Sequence, residues 1–247
     1  MKQYYGMNHT RQYMRRGTEQ QPLRAAKMRK DIDLDLELDP EQLAAELSSC
    51  GSPETMKLPA VDLLNTYKMR SKRKLWLDIG IDCDVLAMLR QIFLWVYEDR
   101  EKGIPVDDRK PIWLYIMNYG GETDYEQCLI DTMDASTTPI YTVNLGVCAS
   151  AAAEIFTAGR ERWMMKNARI MFHQGFIHTQ GDAQKVNNAM ADYNRQLEKA
   201  KQFLLDRTNI PAELYEQHKY EDWWLDAEEC MKYGVCDHIV NSLEEIL

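Results

Sequence analysis

From Leu75 to the C-terminus, short apolar runs alternate with segments of helical period, and this rhythm most restricts how the chain can fold. Leu75 to Ile81 reads as a strand, and Asp82 or Asp84 can cap a helix whose apolar positions Val85, Met88, Leu89, Ile92 and Val96 recur with a 3.6-residue period. Gly103 to Lys110, with Pro105, predicts a loop before a second strand, Ile112 to Met117. Asn118-Tyr119-Gly120-Gly121 turns the chain, and Thr123 with Glu126 has capping-box spacing for a helix carrying Tyr125, Leu129 and Met133. Pro139 precedes a third strand at 140–145 and a corner at Ser150. A short helix from Ala151 stops near Gly159, and Arg169 to His173 is a further strand. A long helix from about Asp182 to Arg207 gathers Val186, Met190, Tyr193, Leu197, Ala200 and Leu204 on one face. Asp226 and Glu229 bracket a short helix that ends at Gly234, before a last strand over Val235 to Val240. Strands alternating with helices predict an α/β fold with parallel pairing.

Residues 1–74 follow a different rule. Up to Lys30 there are eight Lys or Arg and one acid, Glu19, without apolar periodicity. Asp31 to Asp39 alternates acid and aliphatic like a strand, Pro40 can open a helix over Glu41 to Leu47, and Gly51-Ser52-Pro53 breaks it. Lys68 to Lys74 is a second basic cluster. The expected division is a charged, partly ordered N-terminal extension over 1–74 and a folded domain over 75–247, the extension being either a solvated arm or one that pairs with a neighbouring subunit. The start has no apolar core of a secretory leader and no apolar stretch approaches the ~20 residues of a membrane span, so a cytoplasmic protein is expected. Six cysteines without CxxC or Cys/His zinc spacing read as reduced thiols, and a net charge of −9 argues against nucleic acid as a partner. There is no GxxxxGK[ST] and no HExxH, so neither P-loop nucleotide binding nor a metal site is expected.

Gly146-Val147-Cys148-Ala149-Ser150-Ala151-Ala152-Ala153 places a serine at a strand-to-helix corner among residues too small to cover it. The first-turn amides of the helix lie alongside, unpaired and able to hold an oxyanion. A nucleophilic serine needs a base, an orienting acid and oxyanion donors. His173 closes a strand before the polar Gln174-Gly175, and Asp222 stands beside Trp223 and Trp224, which would partly exclude water from it. Gly120-Gly121 can turn an amide toward a ligand. Gly121, Ser150 and His173 each end a predicted strand and can share one edge of the sheet. The same residues also fit a packing corner, a hydrogen-bonded structural histidine, a helix cap and a plain turn.

Several stretches carry a resemblance in fixed order. Leu114-Tyr-Ile-Met-Asn-Tyr-Gly-Gly121 resembles a strand followed by an Asn-Ser-Pro-Gly-Gly turn, and Asp131-Thr-Met133 the helix after it. Gly146-Val-Cys-Ala-Ser-Ala151 is similar to the nucleophile motif Gly-x-Ala-Ala-Ser-Met. Ala158-Gly159 and Asn167-Ala-Arg-Ile-Met-Phe-His-Gln174 match the segment ending in a catalytic histidine, and Gly181-Asp-Ala183 the Gly-Gln-Ala that opens a handle helix. Trp224-Leu-Asp-Ala-Glu-Glu229 and Tyr233-Gly-Val-Cys-Asp237 resemble the segments that close the domain. Together they resemble the proteolytic subunit of Clp protease, the ClpP family of self-compartmentalised serine peptidases.

This resemblance implies a crotonase-like spiral of βαβ units with a protruding handle helix. It implies Ser150 as nucleophile, His173 as general base and Asp222 as orienting acid, with the amides of Gly121 and Ala151 as oxyanion hole. Gly120, Gly175 and Phe176 are implied to line an extended peptide. It further implies a homo-oligomer of heptameric rings, possibly stacked to fourteen subunits, fed with polypeptide by a separate AAA+ unfoldase (ClpX, ClpA or ClpC-like). No cofactor is implied, since ATP is used only by that partner. The chain departs from the family pattern at Tyr119, where a proline usually stands, at Gly175, another usual proline, and at Glu221, where an arginine usually pairs across the two rings. Two other readings use the same fold: a non-catalytic ring or scaffold subunit, and an acyl-CoA-binding crotonase-type protein.

Overall fold

The computed structural model describes residues 61–247, with side chains from Leu64 onward. The expectations for the strand at 31–39 and the helix at 41–47 lie outside these residues. The described chain belongs to a compact unit running from Pro59 to Leu247.

Seven strands form one sheet: β1 (Lys74–Leu77), β2 (Ile112–Asn118), β3 (Ile140–Ala149), β4 (Glu161–Met165), β5 (Arg169–Phe172), β6 (Trp223–Asp226) and β7 (His238–Val240). The helices are α1 (Val61–Ser71), α2 (Val85–Glu101), α3 (Thr123–Ala135), α4 (Ala151–Thr157), α5 (Ala183–Arg207), α6 (Ala212–His218) and α7 (Ala227–Lys232). The main path runs β1-β2-β3-β4-β7, parallel throughout, while β5 leaves it to pair in parallel with β3 and antiparallel with β6. The fold is therefore mixed α/β with a mostly parallel sheet, as the rhythm of the sequence predicts.

Strand alternation sorts the core into two layers. Ile112, Leu114 and Ile116 of β2 pack with Val85, Leu89 and Ile92 of α2, Leu129 and Met133 of α3, and Ile155 and Phe156 of α4. Tyr115, on the opposite face of β2, packs with Val143, Val240 and Ile246, backed by Met69 of α1. Thus α1, which precedes the boundary expected at residue 75, lies against the sheet. Asp99 ties this corner together: buried near the end of α2, it accepts from Arg73 at 2.7 Å and from Thr138 at 2.8 Å. Burial alone would raise the Asp99 pKa, but these donors and the Arg73 charge hold it below the ordinary value.

The feature that positions the site is a fork in β3. Its first half, Tyr141 to Asn144, pairs with β4; its second half, Val147 to Ala149, pairs with β5. Asn144 sits at the branch point, fully buried, where its Oδ1 accepts from Gly146 N at 3.0 Å and its Nδ2 donates to Arg169 O at 2.9 Å. Gly146 to Ala149, which read as a turn from their small side chains, are strand because β5 pairs with them. The capping box at Asp226 and Glu229 is present with both halves closed. That at Thr123 is not: Glu122 is the N-cap, and Glu126 is buried.

Candidate active site

The register of three strands puts three side chains in a row. On β3 and β5, Ala149 stands opposite Met171, and Ser150 N donates to Met171 O at 2.9 Å, so the corner after β3 is fastened to β5. On β5 and β6, Phe172 stands opposite Trp223, so His173 and Asp222, the flanking residues, are next in the ladder. His173 Nε2 lies 2.8 Å from Ser150 Oγ, and His173 Nδ1 lies 3.3 Å from Asp222 Oδ1. A serine, an imidazole and a carboxylate linked through opposite ring nitrogens form the arrangement in which the imidazole can take the hydroxyl proton while the carboxylate holds its tautomer. The Asp222 side chain is 66% exposed, so the paired tryptophans do not exclude water from it. Trp223 instead stacks on His218, and Trp224 lies under Arg169.

Ser150 has φ +57° and ψ −130°, a conformation non-glycine residues rarely adopt. Such a backbone costs on the order of 1–3 kcal/mol, and the surrounding pairing must over-determine it. Behind it Ala151, Ala152, Ala153, Ile155 and Phe156 of α4 are all buried, and Ser150 O accepts from Ala153 N at 2.8 Å. The Ala151 amide, in the first turn of α4, has no partner within its own helix.

The Gly120-Gly121 turn closes over this corner. Gly120 has φ +107°, and its N–H donates to Asn118 Oδ1 at 2.8 Å, while Asn118 Nδ2 donates to Ile79 O. A Cβ on Gly120 would lie 2.7 Å from Ser150 Cβ and 3.2 Å from Ala151 N, so only glycine lets the two backbones meet. Gly121 bridges to Ile81, where a Cβ would meet Ile81 Cβ at 2.8 Å. The sequence reading placed Asn118 in the turn without a role for its side chain and gave the fork residue Asn144 none; their signal is an amide side chain ending or interrupting an otherwise apolar strand.

Gly175 has φ +71°, and the irregular segment after His173 carries Phe176, 91% exposed. Gln174 O accepts from Tyr193 of α5 at 2.7 Å, which ties this segment to the long helix. Tyr119, beside the glycine pair, is 70% exposed. His218 pairs with Glu221, so the acid next to Asp222 is engaged within its own chain.

Elsewhere, Cys148, Cys230 and Cys236 are buried free thiols whose pKa values burial pushes up, which suits inert packing. Among the described residues, the one cluster with metal-ligand atoms within 4.8 Å of one another is Asp82, Cys83 and Asp84, in the turn before α2. There Asp82 Oδ1 already accepts from Asp84 N at 2.9 Å. No helix among the described residues is long and apolar enough to cross a membrane.

Comparison with known proteins adds an independent line. A family model described as Clp protease matches residues 87–243. The ATP-dependent Clp protease proteolytic subunit 2 of Tropheryma whipplei (strain Twist) is 30% identical over 177 residues, which is 70% of this chain and 93% of that protein. The protein of the same description from Bacillus licheniformis is 31% identical over 136 residues, 54% of this chain and 72% of that one. The ATP-dependent Clp protease proteolytic subunit of Streptococcus mutans serotype c is 30% identical over 142 residues, 56% of this chain and 72% of its own length. The matched region spans Gly121, Ser150, His173 and Asp222.

Proposed function

Because the chain belongs to the Clp protease family, whose proteolytic subunits are serine peptidases, we propose that it cleaves polypeptides with Ser150, His173 and Asp222 as its triad. The observation that carries this reading is the linked row Ser150–His173–Asp222, with the serine Oγ 2.8 Å from the imidazole. His173 Nε2 takes the Ser150 proton as Oγ attacks a peptide carbonyl carbon. Asp222 accepts from the Nδ1–H of His173 and stabilises the imidazolium that forms. The amides of Gly121 and Ala151 hold the tetrahedral oxyanion, each donor being worth roughly 3–4 kcal/mol in the transition state. The imidazolium then protonates the leaving amine, and a water, deprotonated by His173, hydrolyses the acyl-enzyme.

The substrate lies extended, added as a strand between Gly120 and the segment through Gly175 and Phe176. Residues 75–247 form the peptidase domain and 1–74 an extension from it. The subunits assemble as heptameric rings that can stack, served by a separate AAA+ unfoldase that consumes the ATP. A cytoplasmic location and independence of any bound cofactor complete the reading.

A serine-reactive fluorophosphonate probe is expected to label the wild type and not Ser150→Ala, with cleavage of a fluorogenic dipeptide lost in the same variant. Equal labelling of both proteins would overturn the assignment.

A further inference from the structure

Two acids that the triad does not use stand directly behind it. Glu154 lies in the first turn of α4, which begins just after Ser150, and Glu126 lies in the first turn of α3, which begins just after Gly121. Glu126 is 2% exposed, and its Oε1 is buried without a hydrogen-bond partner. The two carboxyl groups hydrogen-bond to each other. Ionised carboxylates only accept, so that bond exists only when one of the two carries a proton. Among the described residues no cation forms an ion pair with either. The pair therefore links α3, which follows the Gly120-Gly121 turn, to α4, which follows Ser150.

We propose that Glu126 and Glu154 are a positioning pair for the oxyanion hole: a carboxyl–carboxylate hydrogen bond, closed by one shared proton, clamps the start of α3 to the start of α4 and sets the spacing of the Gly121 and Ala151 amides. This rests on the peptidase reading above. Removal of the shared proton by hydroxide leaves the buried Glu126 carboxylate facing the half-buried one of Glu154, and their repulsion parts the two helix starts.

The surroundings favour the shared proton. Burial first, then the Glu154 charge, pushes the Glu126 carboxyl far above the ordinary range; burial also raises Glu154, against the effect of its bond to Glu126. On α6, Tyr215 faces Glu154, its phenol pushed up mainly by burial, and Glu216 of the same helix pairs with Lys201 of α5 at 2.6 Å. From β3 comes the buried thiol of Cys148, and β5 leads into His173. On α5, Arg207 is engaged with Ala158 O and Asp134, and on α2, Asp99 is held by Arg73 and Thr138. None of these groups supplies the positive charge that would let both carboxyls ionise.

The test uses the full chain and two readouts. Infrared difference spectra of wild type against Glu126→Gln at neutral pH should show the C=O stretch of a protonated carboxylic acid, lost in the variant. Its absence from the wild type would overturn the inference even where the fluorophosphonate probe labels Ser150. In peptidase assays, Glu126→Ala should lower kcat at least tenfold with KM little changed. Glu126→Gln, which keeps a hydrogen bond to Glu154 without needing the proton, should restore most of that loss. It should also remove the alkaline fall in kcat expected of the wild type as pH approaches about 10. An alkaline limb identical in wild type and Glu126→Gln, or a Glu126→Ala enzyme with unaltered kcat, would overturn the positioning role. A wild type that never labels would overturn the peptidase reading itself, and with it this role, while the infrared band still reports the pair.

Discussion

Ser150 departs furthest from what its residue type prefers, and the strain supplies an independent check on its role. With φ at +57°, the serine occupies a region where glycine alone is at ease. Ser150→Gly should therefore be more stable than Ser150→Ala by about 1 kcal/mol, both being inactive, as chemical denaturation would measure. Gly120→Ala tests the opposing wall: its new Cβ, 2.7 Å from Ser150 Cβ, should cost about 100-fold or more in kcat with the fold retained. Glu126 makes a prediction about stability rather than rate. Its carboxyl is raised in the folded chain, so above the unfolded carboxylate pKa the native state holds more protons than the unfolded one. Stability accordingly falls as pH rises from about 4.3 toward the folded value. Melting temperatures of Glu126→Gln and wild type should lie close together at pH near 4 and separate in favour of the variant as pH rises. A separation that fails to grow as pH rises would show that the native carboxyl is ionised. None of this was legible at Glu126 itself, where Thr123-x-x-Glu126 matches a capping box; the partner that overrides it lies 28 residues on and is set by tertiary packing.

At the scale of elements, the sheet's rhythm was readable because apolar periodicity is local, whereas the fork in β3 was not, because it depends on which strand arrives beside Gly146 to Ala149. The β2 and β5 strands, the first half of β3 and the limits of α5 follow closely from their apolar runs and from Asp182, whose side chain accepts from Lys185 N at 3.0 Å. The strands β4 and β6 and the helix α6 have too few alternating residues to announce themselves. Ser150 and His173 were legible as strand-end residues and Asp222 only from its tryptophan neighbours; that the three form a row depends on registers no single segment encodes. Asn144 makes those registers testable. Replacing it by Leu removes the partners of the part-buried Gly146 N and Arg169 O, at a cost of about 1–3 kcal/mol. Because β5 carries His173, kcat should fall together with the melting temperature, whereas a core truncation away from the fork, such as Ile92→Val, should lower stability and spare kcat. Equal kcat in Asn144→Leu and Ile92→Val at matched stability would remove the fork from the account of the site.

For the whole molecule, α5 is the element that the single chain leaves incomplete. At 25 residues it is about 38 Å long, and Leu204, near its base, is its one buried residue. Val186, Tyr193, Leu197 and Ala200 form a half-buried stripe that continues through the exposed Met190, with no element of the described chain covering it fully. A stripe of this kind on a projecting helix suits a second copy of the chain, as the proposed stacking of rings requires. The stripe also connects to the site, since Tyr193 donates to Gln174 O next to His173. Pairing of α5 with another copy would thereby steady the segment that carries Gly175 and Phe176. Placing charges on the stripe with Met190→Asp and Leu197→Asp should shift the mass-photometry distribution to smaller assemblies. Dipeptide cleavage per subunit should fall with it, although both substitutions are remote from Ser150 in the chain. Tyr193→Phe separates the two effects: it keeps the apolar stripe and removes the hydroxyl, so the assembly should persist while kcat drops several-fold. If Tyr193→Phe retained full activity, or if the Asp variants kept it after losing the larger assembly, α5 would be a contact surface with no bearing on the chemistry.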